Sequence, residues 1–137
     1  MIIMRDGVRV GVPPMSAYEH LVHFEEYPRF MSSVLSLTPL ARSVARMTLD
    51  IGGRRVELDA VLAGTEPGRL VHWDSAVLTE TFRLEEAAGR GTDVFAVVEL
   101  DESQVPMVGQ APEEVLRSRL REDLKGLKRF CEESQED

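Results

Sequence analysis

The sequence predicts an α+β domain in which a curved antiparallel sheet wraps around one long C-terminal helix. Three observations predict it. Gly52-Gly53 separates two runs in which apolar and polar residues alternate, the pattern of a hairpin. Three more strand-like runs follow between short turn segments. Near the end of the chain, Leu116, Leu120, Leu124, Leu127 and Cys131 form one apolar stripe at helical spacing. A long sheet has one apolar face, and a single long amphipathic helix is available to cover it, so the sheet must curl around that helix. The space left between the two is a natural cavity.

The elements follow in order. Val8, Val10 and Val12 alternate with polar or small residues and form a short first strand, ended by Pro13-Pro14. Ala17, Tyr18, Leu21, Val22 and Phe24 suit a short helix from Met15 to Phe24, which Tyr27-Pro28 interrupts before a second helical turn over Pro28 to Ser32. Val34 to Leu40 is strand. In the hairpin Ser43 to Leu62, a turn at Gly52-Gly53 sets Leu49 against Val56 and Met47 against Leu58. The opposite face then pairs Asp50 with Arg55 and Arg46 with Asp59, and a slip of one residue would destroy both patterns.

Glu66-Pro67-Gly68-Arg69 is a turn with glycine where a type II turn requires it. Leu70 to Ser75 and Leu78 to Glu85 form the next hairpin, with Val71 and Trp73 on the same face as Leu78, Glu80, Phe82 and Leu84. A turn over Ala87 to Gly91 leads to Thr92–Leu100, with Phe82 expected opposite Val94 and Glu80 opposite Ala96. Asp101 to Gln110 is a connection. Pro112 begins the long helix, Glu113 and Glu114 favour its first turn, and Lys128 and Arg129 suit its end, with a frayed tail over Glu132 to Asp137.

Composition narrows the function. The 137 residues suffice for one domain, 1–137, with its core at about 8–133. Hydrophobic residues at 43% and charged residues at 29% fit a globular protein rather than a disordered one. No apolar run approaches the roughly 20 residues of a membrane span, so no stable membrane insertion is expected. Arg5, Asp6 and Arg9 break the N-terminal stretch, unlike a secretory signal. Cys131 is the single cysteine and leaves no internal disulfide, which together with the absent signal points to the cytoplasm. The formal charge of −8 repels phosphate backbones, so nucleic acid is not an expected partner.

No nucleophile elbow, phosphate loop or metal motif is present. His20 and His23 lie three apart beside Glu19, but a third ligand is missing and an exposed helix surface is the simpler reading. His72 falls on the outer sheet face, and Cys131 on the apolar stripe is a small core residue. Trp73 faces inward with Phe82, where it either packs the core or touches a ligand. Glu80 is the unusual residue. A carboxylate on the apolar face is costly unless it has a role, lies at the open end of the cup, or sits on a bulged hairpin. Ala45, Ala60 and Ala96 would leave room beside it.

Several segments together resemble the START-like (SRPBCC) superfamily of polyketide cyclases/dehydrases and lipid-transport proteins. They are Val12-Pro13-Pro14, Tyr27-Pro28-Arg29-Phe30-Met31, Pro67-Gly68-Arg69-Leu70-Val71-His72-Trp73-Asp74-Ser75, Gly91-Thr92-Asp93-Val94 and Asp123-Leu124-Lys125-Gly126-Leu127-Lys128. The resemblance spans about Val8 to Glu133 and implies the helix-grip fold, with about seven strands and two short helices after the first. It places Tyr27, Phe30 and Met31 at the mouth of the cavity, as lid or as core cap. Met47, Leu58, Ala60, Leu62, Trp73, Phe82, Ala96, Leu120 and Leu124 are the expected walls. Aromatase/cyclases of the superfamily carry an inward arginine on the strand matching Val56 to Leu62; here Val56, Leu58, Ala60 and Leu62 face inward.

Three functions fit these residues. The first is binding of an apolar or aromatic small molecule, such as a polyketide, isoprenoid quinone or lipid, without a cofactor. The second is a polyketide cyclase or dehydratase with Glu80 as acid/base. The third is an interaction protein, including a homodimer, that uses the outer sheet face at Phe95 and Val97.

Overall fold

A computed structural model describes residues 1–105, 109 and 111–134. The order is β1 (Ile2–Val10), α1 (Pro14–Val22), a 3₁₀ turn (Phe24–Glu26), α2 (Tyr27–Phe30), β2 (Val34–Ala41), β3 (Val44–Ile51), β4 (Arg54–Glu66), β5 (Leu70–Asp74), β6 (Leu78–Glu86), β7 (Thr92–Leu100) and α3 (Pro112–Ser134). All seven strands form one antiparallel sheet in the order β1-β7-β6-β5-β4-β3-β2. The sheet's inner face and α3 bury the core between them, with α3 lying chiefly along β1. This is the expected architecture.

The β3–β4 hairpin has the register that its charge and apolar patterns dictate. Met47 faces Leu58, Leu49 faces Val56, and Asp50 faces Arg55. On the outer face the Arg46 guanidinium donates to Asp59 at 2.9 Å and 3.2 Å. Gly52 and Gly53 both have positive φ, 62° and 84°, the conformation a primed turn needs and β-carbons resist.

Four expectations are corrected. In β6–β7, Phe82 faces Ala96 and Glu80 faces Val98, a shift of two residues from the expected partners. The cause is the connection: a 3₁₀ turn over Ala88–Arg90 holds two successive positive-φ residues, and the ladder closes at Glu86 and Thr92. An even shift preserves the faces, so Glu80 still points inward. The first strand begins at Ile2, which pairs with Leu100, and it stops before Val12. The break between the short helices falls at His23, and Tyr27-Pro28 starts α2 instead of interrupting a helix, since proline suits a first turn. Finally, α3 continues to Ser134. Glu132 does not fray: it accepts from the Gly11 amide at 2.8 Å and from Lys128 at 2.7 Å, which ties the end of β1 to the helix. Pro106, Met107, Val108 and Gln110 of the preceding connection, and the last three residues of the tail, lie outside the described residues.

The segment from Phe30 to Ser33 docks on α3 at two points. Ser33 binds Asp123 through its amide at 3.3 Å and its hydroxyl at 2.7 Å. One turn further along, the Phe30 carbonyl lies so close to Gly126 that a β-carbon there would overlap it. Gly126→Ala must therefore push α2 off the helix. It should cost about 2 kcal/mol or more in urea unfolding, in the range of an overpacked core. A loss below about 0.5 kcal/mol would show that this contact is not tight.

Candidate functional site

The inner face of β3 to β6, together with α2 and α3, encloses a small cavity. Tyr27, Met31, Val34, Met47, Leu49, Leu58, Ala60, Trp73, Ser75, Leu78, Glu80, Phe82 and Arg119 line it. Eight of these are residues the sequence nominates: Tyr27, Met31, Met47, Leu58, Ala60, Trp73, Glu80 and Phe82. Five nominated residues are not among the lining. Phe30 stacks on Phe130 with ring centres 4.7 Å apart, between α2 and α3. Ala96 is buried opposite Phe82, Leu120 and Leu124 belong to the packed core under α3, and Leu62 is half-buried beside a bulge in β4.

The cavity volume is about 30 Å³, room for a water or two rather than for a ligand-sized molecule. Met31 and Met47 have unbranched, readily rearranged side chains, so the walls on their side are the adaptable ones. The aromatic side is pinned. The Trp73 indole donates to the Tyr27 hydroxyl at 3.0 Å, and that hydroxyl donates to the Leu21 carbonyl. Burial, with a contribution from Glu80, raises the Tyr27 hydroxyl far above its ordinary range, so it stays a neutral donor.

Three charged side chains enter this interior. Glu80 is 7% exposed, Arg119 9% and Asp123 1%. The β5–β6 register is regular where Trp73 faces Glu80, so no bulge explains the carboxylate. It points at Arg119, whose Nη1 lies 3.7 Å from Glu80 Oε1 and whose Nη2 lies 3.9 Å from Asp123 Oδ2. Both distances exceed a direct hydrogen bond. Glu80 Oε2 and Arg119 Nε and Nη1 have no hydrogen-bond partner. Asp123 differs, being held by Ser33. With both carboxylates ionised, the set would carry one net negative charge in an apolar surround. Burial accordingly pushes the Glu80 carboxyl up to about 7, opposed by Arg119 and reinforced by Asp123.

Arg119 is the buried cavity-lining residue that sequence reading by leucines misses. Residues 116, 119, 120, 123, 124 and 127 follow the i, i+3, i+4 pattern of a buried helix face, and two of the six are charged. An Arg–Asp pair at i and i+4 inside an apolar stripe is the signal that would have found it. It also bears on the strand Val56 to Leu62, which carries no inward arginine: here the helix supplies one.

Outside this cavity lies an open cleft of about 730 Å³ between the Ser32-Ser33 segment, the Gly52-Gly53 turn and the first turns of α3. Asp50, Glu114, Val115, Ser118 and Glu122 line it, and so does Arg119, which thus borders both spaces. The other nominated groups lie elsewhere. His20 and His23 sit near Glu26 and Glu19 at 3.6 Å and 3.9 Å, and His20 meets the Phe130 ring edge-on. Among the described residues there is no cluster of three or more His, Cys, Asp or Glu placed to hold a metal ion. His72 pairs with Thr81 across the sheet at 2.7 Å. Cys131 is buried, and burial with Glu132 and Glu26 nearby pushes its thiol up to about 12, far from a reactive thiolate. Phe95 is 44% exposed on the outer face. No helix among the described residues is long and apolar enough to cross a membrane.

Comparison with known proteins agrees with this architecture. A START superfamily protein from Mycobacterium smegmatis superposes with a TM-score of 0.80 at 14% identity, over 96% of this chain and 97% of that one. The di-domain ARO/CYC StfQ from the steffimycin biosynthetic pathway gives 0.72 at 15% identity, over 99% of this chain and 52% of that one. At these identities the likeness is one of fold. An uncharacterised 17.2 kDa protein of Streptomyces lincolnensis is 29% identical over 70 residues, so this chain matches about half the length of that relative. Residues 10–128 match the family described as polyketide cyclase / dehydrase and lipid transport, and the chain belongs to that family.

Proposed function

We propose that the protein binds a small apolar or aromatic molecule bearing an oxygen function, seated between the sheet and α3 with that oxygen at Glu80 and Arg119. One observation carries this reading: three polar atoms without partners, on two buried charged side chains, inside an otherwise apolar lining. Such groups are costly unless a partner arrives. Protonated Glu80 offers a donor and Arg119 two more, so a carbonyl or hydroxyl oxygen fits them. The ligand must displace the methionine-rich wall, because the closed space is too small for it.

A second reading is supported by the Glu80 carboxyl standing near neutrality, where an acid/base group works best. In a β-hydroxy ketone, ionised Glu80 would take the proton from the carbon between carbonyl and carbinol. Arg119 would stabilise the enolate oxygen, and the protonated carboxyl would return its proton to the departing hydroxyl. Water and an enone result, with Glu80 again ionised. This chemistry predicts a rate that rises with pH to a plateau, with its midpoint near the Glu80 value of about 7. A pH-independent rate, or turnover that survives Glu80→Gln, would exclude Glu80 as the base.

Binding is checked by the emission of Trp73, the single tryptophan. Titration with polycyclic ketones or quinones should change it saturably, and native mass spectra should show one ligand per chain. Unchanged emission and no retained ligand across such a series would remove the binding reading.

The buried carboxyl also sets a pH dependence of stability. The Glu80 carboxyl is raised from 4.5 in the unfolded chain to about 7 in the folded protein. Between those values the folded form holds a proton that the unfolded form has lost, so its contribution falls as pH rises through this window. Below the window both forms are protonated, and above it the loss is complete, of the order of 3 kcal/mol at 1.36 kcal/mol per pH unit. Glu80→Gln mimics the protonated state. Its stability relative to wild type should therefore increase from pH 5 to pH 8, and parallel profiles for the two proteins would contradict the assignment.

A further inference from the structure

We infer that Asp123 is a positioning residue that decides the charge class of the ligand: acting through Arg119, it makes the site take a neutral oxygen, as in a ketone, quinone or ester, and turn away a carboxylate. The inference rests on the binding reading above and narrows it. Its own observation is the Ser33–Asp123 contact, which the binding reading does not use. Asp123 is not among the lining residues of the cavity. It lies one turn along α3 from Arg119, is 1% exposed, and sets Oδ2 at 3.9 Å from Arg119 Nη2. Ser33, also buried, donates its amide to Oδ1 at 3.3 Å and its hydroxyl to Oδ2 at 2.7 Å. Ser33 falls between Met31 and Val34, which both line the cavity, so the segment that walls the site also holds Asp123 beside Arg119.

The consequence is a charge count. The ion-pair contacts of Glu80 and Asp123 both run to Arg119, at 3.7 Å and 3.9 Å. One guanidinium offsets one carboxylate, and Asp123, fixed by Ser33, is the one the fold supplies. With Glu80 protonated the set is neutral. A ligand carboxylate would then add an uncompensated charge inside an apolar lining, which is strongly unfavourable. A neutral carbonyl adds none and still meets donors. The other titratable group acting on Glu80 is Tyr27, whose buried hydroxyl stays neutral. The sheet partners of Glu80, Trp73 and Val98, carry no charge. Without Asp123 the guanidinium becomes available to a ligand carboxylate or to Glu80 itself.

The test compares 2-acetonaphthone, a neutral ketone, with 2-naphthoate, a carboxylate of nearly the same shape. Affinities are measured by calorimetry at pH 6 on wild type and on Asp123→Asn. Wild type should bind the ketone at least about tenfold more tightly, and the variant should cut that ratio by about tenfold, mainly by gaining affinity for naphthoate. A second readout needs no ligand. The pH window over which stability changes relative to Glu80→Gln, made in the same background, should move to lower pH in Asp123→Asn, because a like charge that raises the Glu80 carboxyl is gone. A purely structural Asp123 would lower stability without moving either the ratio or the window. Should Asp123→Asn not fold, Ser33→Ala takes its place: it removes one of the two donors to Asp123, and the ratio should fall by about threefold with the window moving the same way. If naphthoate binds wild type as tightly as the ketone, or the variant leaves either the ratio or the window where it was, the inference is overturned and the binding reading stands. If neither compound binds wild type, the binding reading fails and this inference with it.

Discussion

A guanidinium buried between two carboxylates constrains everything around it. Charges of this kind stay inside a fold only when they neutralise one another and find hydrogen bonds. Here neutrality needs one carboxyl to be protonated, and the surroundings decide which one. Ser33 commits two donors to Asp123, whereas Glu80 Oε2 has no hydrogen-bond partner. Ser33 thus holds Asp123 in place, and Glu80, whose carboxyl burial pushes up to about 7, is the adjustable group. The same Ser33 contact, with the Phe30 carbonyl against Gly126, locks the α2–β2 junction to α3 and so fixes the floor of the cavity.

Rigidity is unevenly distributed around that charge. Trp73, Tyr27 and the Leu21 carbonyl form one hydrogen-bonded line, buttressed by Phe24 edge-on to Trp73 at 5.3 Å. The methionines and leucines that line the same cavity have no polar anchor of this kind. A ligand entering such a space meets one wall that orients it and another that yields. The family is described as polyketide cyclase / dehydrase and lipid transport, and the fold by itself does not select between such roles.

Much of the fold was legible because its signals are periodic and local. The Gly52-Gly53 turn and the paired charges Arg46–Asp59 and Asp50–Arg55 over-determine one hairpin, and that register is the observed one. The β6–β7 register was not legible, since the Ala87 to Gly91 connection holds a positive-φ arginine, Arg90, where no sequence rule expects one. Glu80 was conspicuous because alternation placed a charge on an apolar face. Arg119 escaped because long helices carry many charges, and which of them face inward depends on the strands opposite. The size of the cavity was also hidden. Small inward residues such as Ala45 and Ala96 signal space only if their neighbours leave it empty, and here larger side chains close over them.

The strand order has a consequence for how this chain reaches its native state. β1 pairs along its whole length with β7, so that Ile2 meets Leu100, and Glu132 of the last helix seals the exit of β1 at Gly11. The β1 segment must wait for β7, the last strand of the sheet in chain order, before it has a hydrogen-bonding partner. Until then its alternating apolar residues, Ile2, Met4, Val8 and Val10, have no sheet to join. The consecutive antiparallel ladders from β2 to β7 are assembled from neighbours and can form early. Closure by β1 and α3 is the long-range step, which makes folding slow and leaves a strand edge of β7 open to chaperones or to aggregation while it is pending.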